Sequence, residues 1–242
     1  MRTPSVSGRA GIIPPVSDSS GKPGVLLDVD GTLLDTNYLH ALAWWQAFRD
    51  AGVTGVTMAE THRAVGIASA GLVDKLASDA DDAAKARVVE RHTARYDDVQ
   101  DQVVAFARAD ELIRRCRAEG LTVVLATSGK TDDLDWMLPA IGVEEDAIDG
   151  ATTSDDVEQA KPAPDLMTTA MQQHGLDPAR TVAVGDTVWD VQAAYDAGVR
   201  IIALTCGGVA ECELAGAGAD EVFAGPSDLL DRWAESALAR LA

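Results

Sequence analysis

From residue 109 to its end, the chain changes hydrophobic period again and again. "ADELIRRCRAEG" carries helical spacing, "LTVVLATS" reads as a buried strand, and "TDDLDWMLPAIG" returns to helix. The cycle continues through helix "PDLMTTAMQQHG", strand "RTVAVGD", helix "VWDVQAAYDAG" and strand "VRIIALT". It closes on strand "DEVFA" and helix "PSDLLDRWAESALARLA". Strands that alternate with helices predict an α/β fold, a parallel sheet covered by helices on both faces. In such sheets ligands bind beyond the carboxyl ends of the strands. That rule selects Asp28 and Asp30 after the early strand "GVLLDVD", Thr127 and Ser128 after "LTVVLA", and Gly185 and Asp186 after "RTVAV".

Residues 37 to 104 break the alternation straight after the first strand. "NYLHALAWWQAFRDAG", "GLVDKLA" and "DAAKARVVERHTARYDDV" keep a helical character with almost no β-branched run, so this stretch reads as an inserted helical domain. The first 24 residues are rich in Ser, Gly and Pro and have no continuous apolar segment of the secretory type. The expected layout is a disordered tail over 1–23, a core built from 24–36 and 105–242, and the helical insertion over 37–104.

Composition bounds the partners. The formal net charge of −19 argues against a general nucleic-acid or anionic-membrane surface. A small anionic substrate stays open, because a local metal or lysine overrides the global field. No apolar run reaches the length of a membrane span. Cys116, Cys206 and Cys212 lack CxxC spacing and leave an odd thiol over, which predicts a reduced, cytoplasmic protein. A monomer or small homo-oligomer is expected.

The most demanding local feature is "LLDVDGTLLDT", residues 26 to 36, which sets three aspartates at the end of an apolar strand. Asp28 and Asp30 stand at i and i+2, so they do not both ionise comfortably without a cation. Mg²⁺ takes one or two carboxylates together with waters and phosphate oxygens. A carboxylate can also act as a nucleophile on phosphorus, and a second one with raised pKa can carry protons. An EF-hand reading fails, because its glycine and glutamate positions hold Leu33 and Leu39. Neither a P-loop, GxGxxG, HExxH nor GxSxG occurs, and the four histidines show no metal-ligand spacing. Further along, Thr127 and Ser128 offer a hydroxyl and backbone N–H groups to a phosphate, "AKPAPD" supplies the cation Lys161, and "VAVGDTVWD" supplies Asp186 and Asp190.

These residues, in this order, resemble the haloacid-dehalogenase-like superfamily. Its four motifs correspond to Asp28-Val29-Asp30-Gly31-Thr32, to Thr127, to Lys161, and to Gly185-Asp186 with Asp190, and the match spans residues 24 to 225. "DTNYLHALAWWQAF" also resembles the first cap helix of the β-phosphoglucomutase and phosphoglycolate-phosphatase branch. The resemblance implies a Rossmann-like core with a helical cap inserted after the first motif. It implies a Mg²⁺-dependent phosphatase acting on a small phosphorylated metabolite. Asp28 would be nucleophile and metal ligand, and Asp30 the proton carrier, giving its main-chain oxygen to the metal. Asp186 and Asp190 would complete the metal site, with Thr127, Ser128 and Lys161 on the phosphoryl group. His40, Arg63 and Gly66 are the cap candidates for substrate contact.

Plainer roles compete at several positions. Asp186 also suits a helix N-cap, Asp190 suits orienting Lys161, Asp35 suits a hinge, and Trp44 and Trp45 suit packing within the insertion. The first alternative function is a sugar phosphomutase. Against it, Ile67, Ala68 and Ser69 stand where such mutases carry a basic residue, and Gly185 stands where they carry Glu. A non-catalytic binding protein of the same fold is a more remote alternative. Dehalogenation is disfavoured by the second acid at Asp30, and phosphonate cleavage would require a cap lysine, for which Lys75 is the candidate.

Overall fold

The computed structural model describes residues 21–159 and 161–241. Six parallel strands form one sheet in the order β3-β2-β1-β4-β5-β6. They are β1 (Lys22–Leu27), β2 (Thr122–Ala126), β3 (Gly150–Thr152), β4 (Leu176–Gly185), β5 (Arg200–Leu204) and β6 (Glu221–Phe223). Successive side chains on a strand face opposite ways, and the core divides accordingly. Val25, Leu27, Val123, Leu125, Val182, Val184, Ile202 and Leu204 enter one apolar layer. Leu26, Val124, Ala126, Ala183, Ile201 and Ala203 enter the other. Burial on both faces is why these strands read as continuous apolar runs. Each buried Val, Leu or Ile side chain here contributes roughly 1.5–3 kcal/mol on leaving water.

The insertion holds α1 (Asn37–Asp50), α2 (Met58–Ala64), α3 (Ser69–Leu76) and α4 (Asp82–Asp97). Trp44, Phe48, Leu72, Val73 and Val88 give it an apolar cluster of its own. The chain enters and leaves it side by side, with Asp35 N–H donating to the Val104 carbonyl and Phe106 N–H to that of Leu33, both at 2.9 Å. The remaining helices cover the sheet: α5 (Ala109–Ala118), α6 (Leu134–Ile141), α7 (Asp165–His174), α8 (Val188–Ala197), α9 (Glu211–Ala217) and α10 (Pro226–Asp231). Among the described residues, no helix is long and apolar enough to cross a membrane.

Four details depart from the sequence reading. The sheet begins at Lys22, whose N–H donates to the Gly175 carbonyl at 3.0 Å, so Lys22 and Pro23 belong to β1 and not to the tail. The rest of the tail reading, residues 1–20, lies outside the described residues. Strand β3 and helix α9 were not anticipated; β3 is only three residues, too short to show a period. The expected long final helix stops at Asp231 and gives way to two 3₁₀ turns. The break lets Trp233, Ala237 and Leu238 pack into the core, and it is held by Ala237 N–H donating to Glu221 Oε2 at 2.8 Å.

Chain direction explains where the site lies. From central β1 the chain builds outward through β2 and β3, then returns to β4 on the other side of β1 and builds outward through β5 and β6. The β1/β4 junction is therefore the topological switch point, where loops diverge and leave a crevice at the carboxyl ends. Asp28 follows β1 there and Asp186 follows β4.

Candidate active site

Four side chains from distant parts of the chain meet at that junction. Asp28, Lys161, Asp186 and Asp190 are all buried. Lys161 Nζ sits 2.5 Å from Asp28 Oδ1 and 2.7 Å from Asp190 Oδ1, so one ammonium bridges two carboxylates. Asp186 is reached only by neutral donors in this group: Thr32 Oγ1 donates to Oδ1 at 3.1 Å and Asn37 Nδ2 to Oδ2 at 2.6 Å. Oxygens of Asp28, Asp186 and Asp190 lie within 4.8 Å of one another.

Local chemistry places each of them. Helix α8 opens with a capping box: Thr187 Oγ1 accepts from Asp190 N–H at 3.2 Å, and Asp190 Oδ2 accepts from Thr187 N–H at 3.0 Å and from its hydroxyl at 2.5 Å. The cap frees Oδ1 of Asp190 for Lys161. A side chain at Gly185 would spoil this, since a Cβ there would lie 2.5 Å from the Asp190 carboxyl carbon. Gly31, with φ +77°, and Gly207 leave the space that the Asp186 carboxylate occupies; a Cβ on either would collide with it. Replacing Thr187 with Ala should cost about 1 kcal/mol of stability through the lost cap. It should also slow turnover by loosening Asp190 and hence Lys161. Thermal denaturation and rate measured on the same preparation check this, and an unchanged rate would separate the cap from the chemistry.

The protonation states follow from burial. Loss of water is the main cause that pushes Asp28 up to about 7; Lys161 opposes it and the Asp190 carboxylate adds to it. Asp186 is raised well above the usual carboxylate range, again first by burial and then by Asp190 and Asp28. Burial alone would lower Lys161, but the carboxylates of Asp190 and Asp28 outweigh it and hold the ammonium protonated. Once all three carboxylates are ionised, as metal binding requires, they leave two negative charges against the one ammonium, which is the charge of one divalent cation. The all-oxygen donor set suits a hard ion, so the residues fit a metal between Asp28 and Asp186.

Asp30 behaves differently. Its carboxylate accepts from Thr36 Oγ1 at 2.8 Å and lies 3.4 Å from His40 Nε2, apart from the acidic trio. Burial acts to raise its pKa, but the hydrogen bonds and charge from His40, with Thr36, outweigh it and the value is lowered. The raised pKa anticipated for a proton carrier is therefore not a property of this state. An anionic ester beside Asp30 would disfavour its carboxylate and supply the missing upward push.

The remaining candidates divide. Thr127 is buried after β2, and its Oγ1 accepts from Gly129 N–H at 3.0 Å. Ser128 faces the same crevice, but its hydroxyl donates to the Gly66 carbonyl of the insertion at 3.1 Å. Gly66, with φ +97°, and His40 both line a cavity of about 320 Å³ that opens onto Asp28 and Asp30. Arg63 does not line it: its side chain is exposed, and its carbonyl accepts from Trp189 Nε1 at 3.0 Å. Lys75 places its ammonium over the Trp189 ring, 4.9 Å from the centroid, and also lies outside the cavity.

Sequence reasoning placed Thr32 in the first motif but gave no role to Thr32, Thr36, Asn37 or Thr187, which hold the acids in place. Thr187-x-x-Asp190 was legible as a capping pattern. It also missed the pairing of His40 Nδ1 with His92 Nε2 at 3.3 Å, which spans 52 positions and leaves no local signal.

Comparison with known proteins agrees with this architecture. The family model for haloacid dehalogenase-like hydrolase matches residues 25–204. The chain is 31% identical over 195 residues to the protein SUPPRESSOR OF QUENCHING 1, chloroplastic, of Arabidopsis thaliana; this covers 78% of the chain but only 18% of that much longer relative. It is 29% identical to the validoxylamine A 7'-phosphate phosphatase of Streptomyces hygroscopicus subsp. limoneus, over 74% of the chain and 84% of the relative. Among solved structures, a hydrolase from Pseudomonas syringae superposes with a TM-score of 0.83 at 31% identity, covering 88% of this chain and 99% of that one. The protein belongs to the haloacid dehalogenase-like hydrolase family.

Proposed function

We propose that the protein is a Mg²⁺-dependent phosphatase that hydrolyses a small phosphate monoester through an aspartyl phosphate on Asp28. The observation that carries this reading is the buried cluster of Asp28, Asp186 and Asp190 around Lys161, which carries two surplus negative charges when ionised and reaches a cavity through Asp28. Asp28, Asp186 and the Asp30 main-chain oxygen would hold the ion, with Asp190 behind them. The ion would supply positive charge against the phosphoryl oxygens.

The chain's own residues account for the rest. The Asp28 carboxylate attacks phosphorus, and Lys161 stabilises the charge that gathers on the transferring oxygens. Thr127 and the backbone N–H groups after β2 position the phosphoryl group. Asp30 gives its proton to the departing alkoxide, then takes one from the water that opens the aspartyl phosphate. His40 and Thr36 hold Asp30 on the side of the leaving group. The helical insertion acts as a cap, closed here through Ser128 on the Gly66 carbonyl and His62 Nε2 at 3.1 Å from the Gly207 carbonyl. Closure of this kind excludes bulk water from the reaction.

The test is phosphate release from a panel of sugar phosphates, phosphoglycolate, nucleotides and p-nitrophenyl phosphate, with and without Mg²⁺, using Asp28→Asn as blank. Release that needs Mg²⁺ but no bisphosphate activator supports the phosphatase over the mutase. No release from any ester sinks the reading.

Metal binding should depend on pH. Because burial raises Asp28 to about 7 and raises Asp186, both carboxyl groups take up protons more readily than ordinary carboxylates in the metal-free protein. Raised carboxylates favour the fold at low pH, and this contribution fades as pH rises through about 7. Mg²⁺ should therefore bind more tightly at pH 8 than at pH 6, release protons on binding, and raise Tm more at the higher pH. Calorimetry in two buffers of different ionisation enthalpy measures the protons, and a pH-independent affinity would contradict the assignment.

A further inference from the structure

Among the described residues, the cavity wall includes one side chain whose buried polar atom has no hydrogen-bond partner. Tyr96, on α4, is 8% exposed, and its phenol oxygen is buried without a hydrogen-bond partner. The ring is fixed from two sides. It stacks on His40 at a centroid distance of 3.9 Å with planes 4° apart, and it tilts against Trp136 at 6.4 Å. Burial, then the charges of Asp30 and Asp133, raise its pKa, so the phenol stays a donor at any working pH. A buried donor left unpaired costs about 1–3 kcal/mol, and such atoms in native structures call for an explanation.

The wall around it identifies the kind of acceptor. Asp30, Asp97 and Asp133 line the cavity, against a single lysine, Lys130, whose residue is exposed. His92, in the same wall, adds no positive charge, because burial and then His40 push it down to about 2. Trp44, Val65, Ile67, Trp136 and Met137 supply flat and apolar surface. A carboxylate or second phosphate on the leaving group would face these acids with only the exposed Lys130 to meet it, His40 being already paired with Asp30, whereas a hydroxyl would meet no such repulsion.

Resting on the phosphatase reading above, we propose that Tyr96 selects the substrate. Its phenol donates a hydrogen bond to a hydroxyl oxygen of the leaving group, so the site favours phosphate monoesters of uncharged polyhydroxy alcohols over acid-bearing ones. The carbon face of such an alcohol lies on the aromatic wall, and its hydroxyls meet Tyr96.

The experiment compares the parent enzyme and Tyr96→Phe on sorbitol 6-phosphate, phosphoglycolate and p-nitrophenyl phosphate, with Mg²⁺ present. The parent should prefer sorbitol 6-phosphate to phosphoglycolate by at least about tenfold in kcat/KM, and Tyr96→Phe should lose about tenfold on sorbitol 6-phosphate, mostly in KM. The loss on p-nitrophenyl phosphate should be under about threefold, since that ester offers no matching hydroxyl. The Tm of Tyr96→Phe should equal or exceed the parent's, because an unpaired buried hydroxyl has been removed. Equal losses on all three esters would place Tyr96 in the chemistry or the fold and overturn the proposal. No loss on any ester, or a parent preference for phosphoglycolate, would overturn it too. Those outcomes leave the phosphatase reading standing, whereas a parent inactive on every ester defeats both.

Discussion

Asp28→Asn should abolish phosphate release, lowering kcat by at least about a thousandfold, because the amide cannot attack phosphorus. The fold should survive. Asn has the same shape, and its neutral amide removes a charge that Asp190 and Asp30 oppose. Lys161 keeps Asp190 at 2.7 Å, so the ammonium is not stranded. Circular dichroism together with a Tm within a few degrees of the parent checks the fold, and a phosphate assay checks turnover. Parental turnover by the well-folded variant would remove Asp28 from the role of nucleophile.

Lys161→Met should do the opposite to stability. The ammonium is 1% exposed and is the one buried cation that faces Asp28 and Asp190 among the described residues. Removing one partner of a buried ion cluster costs about 3–5 kcal/mol, because the remaining charges stay out of water without compensation. In a domain of this size that corresponds to a fall of roughly 10 °C in Tm. Activity should fall by about a hundredfold to a thousandfold, the usual effect of losing one stabilising donor at a reacting oxyanion. Adding Asp190→Asn to Lys161→Met should recover part of the lost Tm, since it removes an uncompensated carboxylate. A Lys161→Met protein as stable as the parent would mean that water reaches the cluster, which the burial of all four side chains contradicts.

The two substitutions also show how far the sequence could be read. Asp28, Lys161 and Asp186 were selected from strand ends and motif order, and the structure brings all three to one junction. Asp190 was read as metal ligand or as holder of Lys161. Its carboxyl group is near enough to the other acids for the first and is ion-paired to Lys161 as the second requires. Arg63 shows where the sequence reading and the observed cavity lining differ. A basic residue in the right segment was marked as a substrate contact, but which way a side chain on α2 faces depends on packing, and here the Arg63 side chain is exposed while its carbonyl meets Trp189. Tyr96 and His92 were invisible because their partner His40 lies on another helix, and a contact between α1 and α4 leaves no trace in either segment alone.

The amino-acid order by itself determined the α/β architecture, the run of helices that follows β1 and the acids at the strand ends. Each of these rests on period, on turn chemistry or on a charge set against an apolar run, and those are local properties of a chain. Only the tertiary structure decided the protonation of the acids, the state of Asp30, the loss of Arg63 from the cavity and the unsatisfied phenol of Tyr96. These depend on burial and on distances between segments far apart in sequence, and electrostatic energies in low dielectric respond to both far more strongly than to residue identity.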